Sequence, residues 1–98
     1  MIYKVTGTSF HQDAIALVAA GDRVHLVPQP DNEYDKNAIQ VVSEAGELLG
    51  WIPSYAHLNE QLKETYTDEE IKALEAEITA VIGQKFDKFG LRVKVNQD

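Results

Sequence analysis

The chain contains no cysteine, so neither a disulfide nor a thiolate-bound metal can belong to its architecture. A thiol-free chain is compatible with a reducing compartment, and a cytoplasmic location is expected. Its histidines, His11, His25 and His57, sit in three separate contexts with no pair at ligand spacing, so no metal and no cofactor is expected. Basic residues are scarce, with 9 Lys and Arg against 16 Asp and Glu, for a formal net charge of −7. Such a chain repels phosphate backbones and cannot coat a long polyanion. Apolar runs fall well short of the roughly 20 residues that span a bilayer, so no membrane association is expected. The stretch Met1–Gly7 lacks a basic region followed by an apolar core, and no secretory signal is read there. Glycine-rich phosphate loops and a nucleophile elbow are missing, and no acid–base pair is dictated by spacing, so no enzyme is expected.

What remains is 98 residues with 44% apolar content, expected to fold as one domain over 1–98 around a modest core. The charge is uneven. Between Glu60 and Glu77 stand seven acids (Glu60, Glu64, Asp68, Glu69, Glu70, Glu75, Glu77) against Lys63 and Lys72, a balance of −5. The rest of the chain carries only −2 from nine acids and seven bases, so a short polyanion can still be held locally. The acidic stretch also supports a different reading, a protein-interaction domain that docks a basic protein partner.

Taken in order, Ile2–Thr8 reads as a strand broken near Gly7, and Ala14–Ala20 as a short helix capped by Asp13 and stopped at Gly21. Arg23–Val27 is a strand with His25 on its solvent face, and Ala38–Ser43 is apolar enough for the middle of a sheet. Glu44–Glu47 is a hairpin turn with Gly46 at the positive-φ position, returning through Leu48–Ile52. Gly50 inside that return predicts a bulge or a close backbone approach. Pro53-Ser54 opens a helix whose apolar stripe is Tyr55, Leu58 and Leu62. Thr67-Asp68-Glu69-Glu70 is a capping box for a second helix burying Ile71 and Leu74. Ala76–Gly83 alternates as a strand with Ala76, Ile78, Ala80 and Ile82 on one face, Gln84–Gly90 is a loop, and Leu91–Val95 a closing strand. About six short strands with two or three short helices fit a mainly β fold, a small OB-like, partly open antiparallel barrel.

The densest chemistry lies in Pro30-Asp31-Asn32-Glu33-Tyr34-Asp35-Lys36-Asn37, between two strands. Pro30, Asp31 and Asn32 favour a tight turn, and Asn37 suits a side-chain cap. Tyr34 and Asp35 are not required by that turn chemistry and stand equally well as ligand contacts. Single-stranded nucleic acid is held by aromatic platforms and a few cations. Candidate platforms are Tyr3, Tyr34, Trp51, Phe86 and Phe89. Candidate cations are Lys4, Lys36, Lys85, Lys88, Arg92 and Lys94. Trp51 beside Gly50 suits core packing equally, and the phenylalanines suit a lid over a barrel end.

The succession Val5-Thr6-Gly7-Thr8, Gly21-Asp22-Arg23-Val24-His25-Leu26, Pro30-Asp31-Asn32-Glu33-Tyr34-Asp35-Lys36-Asn37-Ala38-Ile39-Gln40-Val41 and Gly50-Trp51-Ile52-Pro53 resembles a HIRAN domain over nearly the whole chain. The resemblance implies a modified OB-like barrel and, as in the fork-remodelling SWI/SNF translocases that carry it, capture of a 3′-hydroxyl end of single-stranded DNA. By position, it implies that Tyr34 stacks on a terminal base, that Asp35 accepts the 3′-hydroxyl, and that Asn32 touches the end nucleotide or holds the loop. Trp51 falls where end-binding members place another ring. Two departures stand out. Tyr3-Lys4 reverses the family's Arg-Tyr pair on the first strand, and Ser54 stands where a lysine could meet phosphate. Zinc binding and ATP hydrolysis belong to neighbouring domains of larger family members.

Overall fold

The structure is a computed structural model that describes residues 1–83 and 89–97. Six antiparallel strands form one curled sheet, a half-barrel in the order β1-β6-β5-β2-β3-β4. The strands are β1 (Ile2–Lys4), β2 (Arg23–Pro28), β3 (Ile39–Ser43), β4 (Leu48–Trp51), β5 (Ala76–Gly83) and β6 (Phe89–Val95). Three short helices, α1 (Gln12–Ile15), α2 (Leu58–Thr65) and α3 (Asp68–Ala73), are joined by 3₁₀ turns at Thr8–Phe10 and Tyr55–His57. Alternating apolar positions send Leu26, Ile39, Val41, Leu91, Val93 and Val95 inward, where Ile15, Leu62 and Ile71 from the helices cover them.

The two sheet edges, β1 and β4, meet beyond the end of β1. Thr6 N–H donates to the Trp51 carbonyl and Trp51 N–H donates to the Thr6 carbonyl, both at 2.9 Å, an antiparallel bridge across the open side. Gly50 makes this possible. A Cβ there would stand 2.4 Å from the Thr6 carbonyl oxygen and 2.5 Å from Val5 Cγ1. Beside it, β4 bulges, with Val41 opposite Gly50 and Val42 opposite Leu48, so that Leu49 is the extra residue and is wholly buried. Both features expected of Gly50 are therefore present.

The hairpin at Gly46 (φ 86°), the capping box at Thr67 and the bounds of β5 match the sequence expectations. Other segments differ, each for a local reason. The first strand stops at Lys4 because the chain next bridges at Thr6 and then turns at Gly7 (φ 73°). The first helix is one turn over Gln12–Ile15, without an Asp13 cap. It is held by Gln12, whose amide accepts from Phe89 N–H at 2.6 Å and donates to the Phe89 carbonyl at 3.0 Å. Those bonds draw Phe89 into β6 rather than a loop. In β5, a bulge at Thr79, between the pairs Ile78–Val93 and Ala80–Arg92, reverses the alternation, and Val81 then packs on the core.

Tyr3 is also core, not platform. Strand alternation points it inward, 3% exposed, and its hydroxyl accepts from Gln97 Nε2 at 2.8 Å. Burial raises its phenol above the ordinary value near 10, against a smaller lowering by the Gln97 bond and with a smaller rise from Tyr66. The unfolded chain then loses this proton before the folded one does, so stability present below that pH falls as pH rises toward the raised value.

Replacing Gly50 with Ala forces backbone apart at the bridge and is expected to cost on the order of 3 kcal/mol in urea unfolding. Tyr3→Phe should remove part of the alkaline loss of stability, read as a smaller difference between unfolding midpoints at about pH 9 and about pH 11 than in the parent chain.

Candidate nucleic-acid interface

The loop between β2 and β3 is built from its own side chains. Gln29, Pro30, Asp31 and Asn32 make a β-turn, with Asn32 N–H donating to the Gln29 carbonyl at 3.0 Å and Pro30 at the second position, where its fixed φ fits. Asn32 Oδ1 then accepts from the Tyr34 and Asp35 amides at 2.9 and 3.0 Å, and Asp35 Oδ1 accepts from the Asn37 amide at 2.9 Å. Gln29 N–H closes the loop on the Ala38 carbonyl at 2.8 Å. The side-chain caps are thus Asn32 and Asp35. Asn37, expected to cap, serves here through its main chain.

A residue outside the sequence expectations holds this loop from behind. Asn59, in the first turn of α2, is 2% exposed. Its Nδ2 donates to Asp35 Oδ2 at 2.9 Å and to the Asn37 carbonyl at 3.1 Å, while its Oδ1 accepts from the Glu60 amide at 2.9 Å. Every polar atom of the amide is matched, as a buried amide requires. The helix is positioned by an irregular entry. Ala56 and His57 both take left-handed φ values (53° and 57°), α2 starts only at Leu58, and Tyr55 is left exposed instead of joining the Leu58–Leu62 stripe. The signal in the sequence was an amide three residues before the buried Leu62, on a face that should be apolar.

The consequence is a stiff loop carrying an aromatic ring in water. Tyr34 is 94% exposed, although its backbone is pinned on both sides. Beside it opens a cleft of about 290 Å³ lined by Thr6, Asn32, Tyr34, Asp35, Ala38, Trp51, Ile52 and Ser54. The structure therefore brings Asn32, Tyr34, Asp35 and Trp51 together. Trp51 is half-buried and walls the cleft, standing 3.0 Å from where a Cβ on Gly7 would be. Lys36 is exposed on the same loop, though outside the cleft lining. Lys4 is exposed opposite Arg92 in the β1–β6 register, two residues before Thr6 and on the same side of the chain by alternation, about 7 Å from it. Phe89 is partly exposed on β6; Lys85, Phe86 and Lys88 lie outside the described residues.

Four of the seven acids of the arm meet local partners. Glu60 meets His57 at 3.0 Å, Asp68 meets Lys63 at 2.6 Å, Glu69 meets Lys72 at 3.4 Å, and Glu70 completes the capping box. Among the described residues no three His, Cys, Asp or Glu side chains gather as a metal site, and no helix is long and apolar enough to cross a membrane.

Asn59→Ala leaves Asp35 Oδ2 and the Asn37 carbonyl without their Asn59 donor. It should cost roughly 2 kcal/mol in unfolding experiments and speed exchange of the Asn37 amide. Asn59→Asp should cost more at neutral pH, because it sets a second carboxylate against Asp35.

The search of curated proteins found no match. Among solved structures, the HIRAN domain of human HLTF superposes with a TM-score of 0.69 at 23% identity, over 97% of this chain and 73% of that one. A protein from Lactobacillus plantarum superposes with a TM-score of 0.63 at 21% identity, over 98% of this chain and 92% of that one. Likeness at that identity establishes a shared fold. The profile of the HIRAN domain matches residues 1–96, and the chain belongs to the HIRAN family.

Proposed function

We propose that this HIRAN domain is a non-catalytic nucleic-acid-binding module that takes the 3′-hydroxyl end of single-stranded DNA into the cleft beneath Tyr34. Membership of the HIRAN family, and the fold shared with the HIRAN domain of human HLTF, support the broader part of this reading, a nucleic-acid-binding module. The observation that carries the finer part is the exposed Tyr34 ring, held on a loop with little freedom over a cleft walled by Trp51. A ring carried on a backbone that is already fixed leaves only its own side-chain freedom to be lost when a base stacks on it, so more of the stacking energy appears as affinity.

In this reading Tyr34 and Trp51 flank the terminal nucleoside. Asp35 has one oxygen committed to the Asn37 amide and the other to Asn59, and each carboxylate oxygen retains a lone pair for a hydroxyl donor. A 3′-phosphate would bring negative charge to that carboxylate in a cleft whose lining contains no Lys or Arg. Asn32 sets the loop and borders the cleft. Lys36, Lys4 and Arg92 hold the first phosphates outside it; Tyr3, buried, takes no part. With two or three phosphates neutralised on a chain of net charge −7, binding is modest in affinity and shallow in salt dependence.

Trp51 is the single tryptophan, so its emission reports on the cleft directly. Titration with an oligonucleotide bearing a 3′-hydroxyl should quench it, and the 3′-phosphate twin should bind at least about tenfold more weakly. Equal affinities would remove Asp35 from its role. Tyr34→Ala should cost roughly 1 to 3 kcal/mol of binding while leaving the unfolding midpoint unchanged.

A further inference from the structure

A second concave surface lies at the other end of β3. Ile39 begins the strand next to the cleft-lining Ala38, and Ser43 ends it about 13 Å away. There, a groove of about 490 Å³ runs between the first helical turn and the β3–β4 hairpin, lined by Ala14, Leu17, Val18, Arg23 and Glu44 among others. A shallower depression of about 400 Å³ continues it past Phe10 and Asp13, and the two share Ala14 and Glu47. Two large apolar side chains stand almost wholly in water along this path, Leu17 at 80% and Phe10 at 85% exposed. Neither packs in the core, and α1 is held in place by Ile15 and by Gln12, so folding does not explain them. Charge around the apolar strip is mainly acidic, with Glu44 also 3.7 Å from His25 Nε2. Asp13, Asp22, Glu44 and Glu47 border it, against Arg23 alone among Lys and Arg.

We infer that this continuous groove is a docking surface for a basic amphipathic segment of a partner protein. The segment's apolar side chains would seat against Leu17, Val18 and Phe10, and its lysines or arginines would face Glu44, Glu47 and Asp13. An apolar strip within a carboxylate rim fits such a segment and disfavours a nucleic-acid strand or an acidic lipid surface, both of which the rim repels. The surface shares no lining residue with the Tyr34 cleft, it touches the acidic stretch only where Arg23 pairs with Glu77, away from α2 and α3, and the inference does not depend on the DNA reading. The domain would then carry two faces at opposite ends of one strand, able to hold both ligands at once.

The probe is a short synthetic peptide with leucines at helical i, i+3 and i+7 spacing and lysines between them, titrated into the isotope-labelled protein and followed by amide chemical shifts. Shifts are expected over residues 10–23 and 43–48. Leu17→Ser and Glu47→Lys should each weaken the peptide by roughly tenfold, the cost of one anchor at an interface. Glu64→Lys on the acidic arm changes net charge as much as Glu47→Lys does, and should leave affinity within about twofold, so this comparison separates site binding from bulk attraction. A footprint on residues 58–73 or on the Tyr34 loop, equal loss in Glu47→Lys and Glu64→Lys, absence of binding, or a concentration-dependent dimer abolished by Leu17→Ser would each overturn the inference.

Discussion

The half-barrel depends on one close approach between backbones. At Thr6 and Trp51 the two edges of the sheet come near enough to exchange both of their hydrogen bonds, and they do so because position 50 has no side chain. Unpaired edges are a liability in small β proteins, exposing donors and acceptors to any passing strand. Here a single bridge pins β4 and leaves Trp51 half-buried, its indole against Gly7, bordering the same cleft as the loop that follows β2. The same approach places Thr6 in the lining of the cleft. Barrel closure and the shape of the candidate site are therefore one event.

The second constraint is the buried amide of Asn59. Loops that bind ligands usually combine a rigid platform with exposed chemistry. In this chain rigidity comes from two sources that converge on Asp35. Asn32 and Asp35 organise the near side through short-range turns, and Asn59 reaches in from a helix 24 residues away along the chain. A carboxylate fixed in this way cannot collapse onto a neighbouring cation, and Tyr34 above it cannot fold back into the core. Exposure of the ring follows from the stiffness beneath it.

Charge explains how an acidic chain can still be read as a nucleic-acid binder. Four of the seven acids of the 60–77 arm, Glu60, Asp68, Glu69 and Glu70, have local partners in ion pairs or a helix cap, and none of the seven lines the cleft. Those of the groove at the far end of β3 stand about 13 Å from the cleft, beyond a Debye length at physiological salt. The cleft presents one carboxylate, on Asp35, and two aromatic rings. That combination is the basis of the proposed preference for the uncharged end of a strand.

Much of this was written into the order of the residues. Gly46 and Gly50 announced the turn and the close approach, Thr67 and Glu70 the capping box, and period-two alternation the strands, because each depends on neighbours within a few positions. Pro30 to Asn37 announced a stiff polar loop for the same reason. What only the folded chain decided were the long-range matters. The strand alternation of Ile2–Lys4 did not say that Tyr3 rather than Lys4 faces inward; the pairing of β1 with β6 did. Bulges at Leu49 and Thr79 reset which side chains are buried, and a bulge is settled by the partner strand. Asn59 looked like an ordinary polar helix residue until Asp35 and Asn37 were brought against it, since a buried amide can be understood only with its hydrogen-bond partners in place.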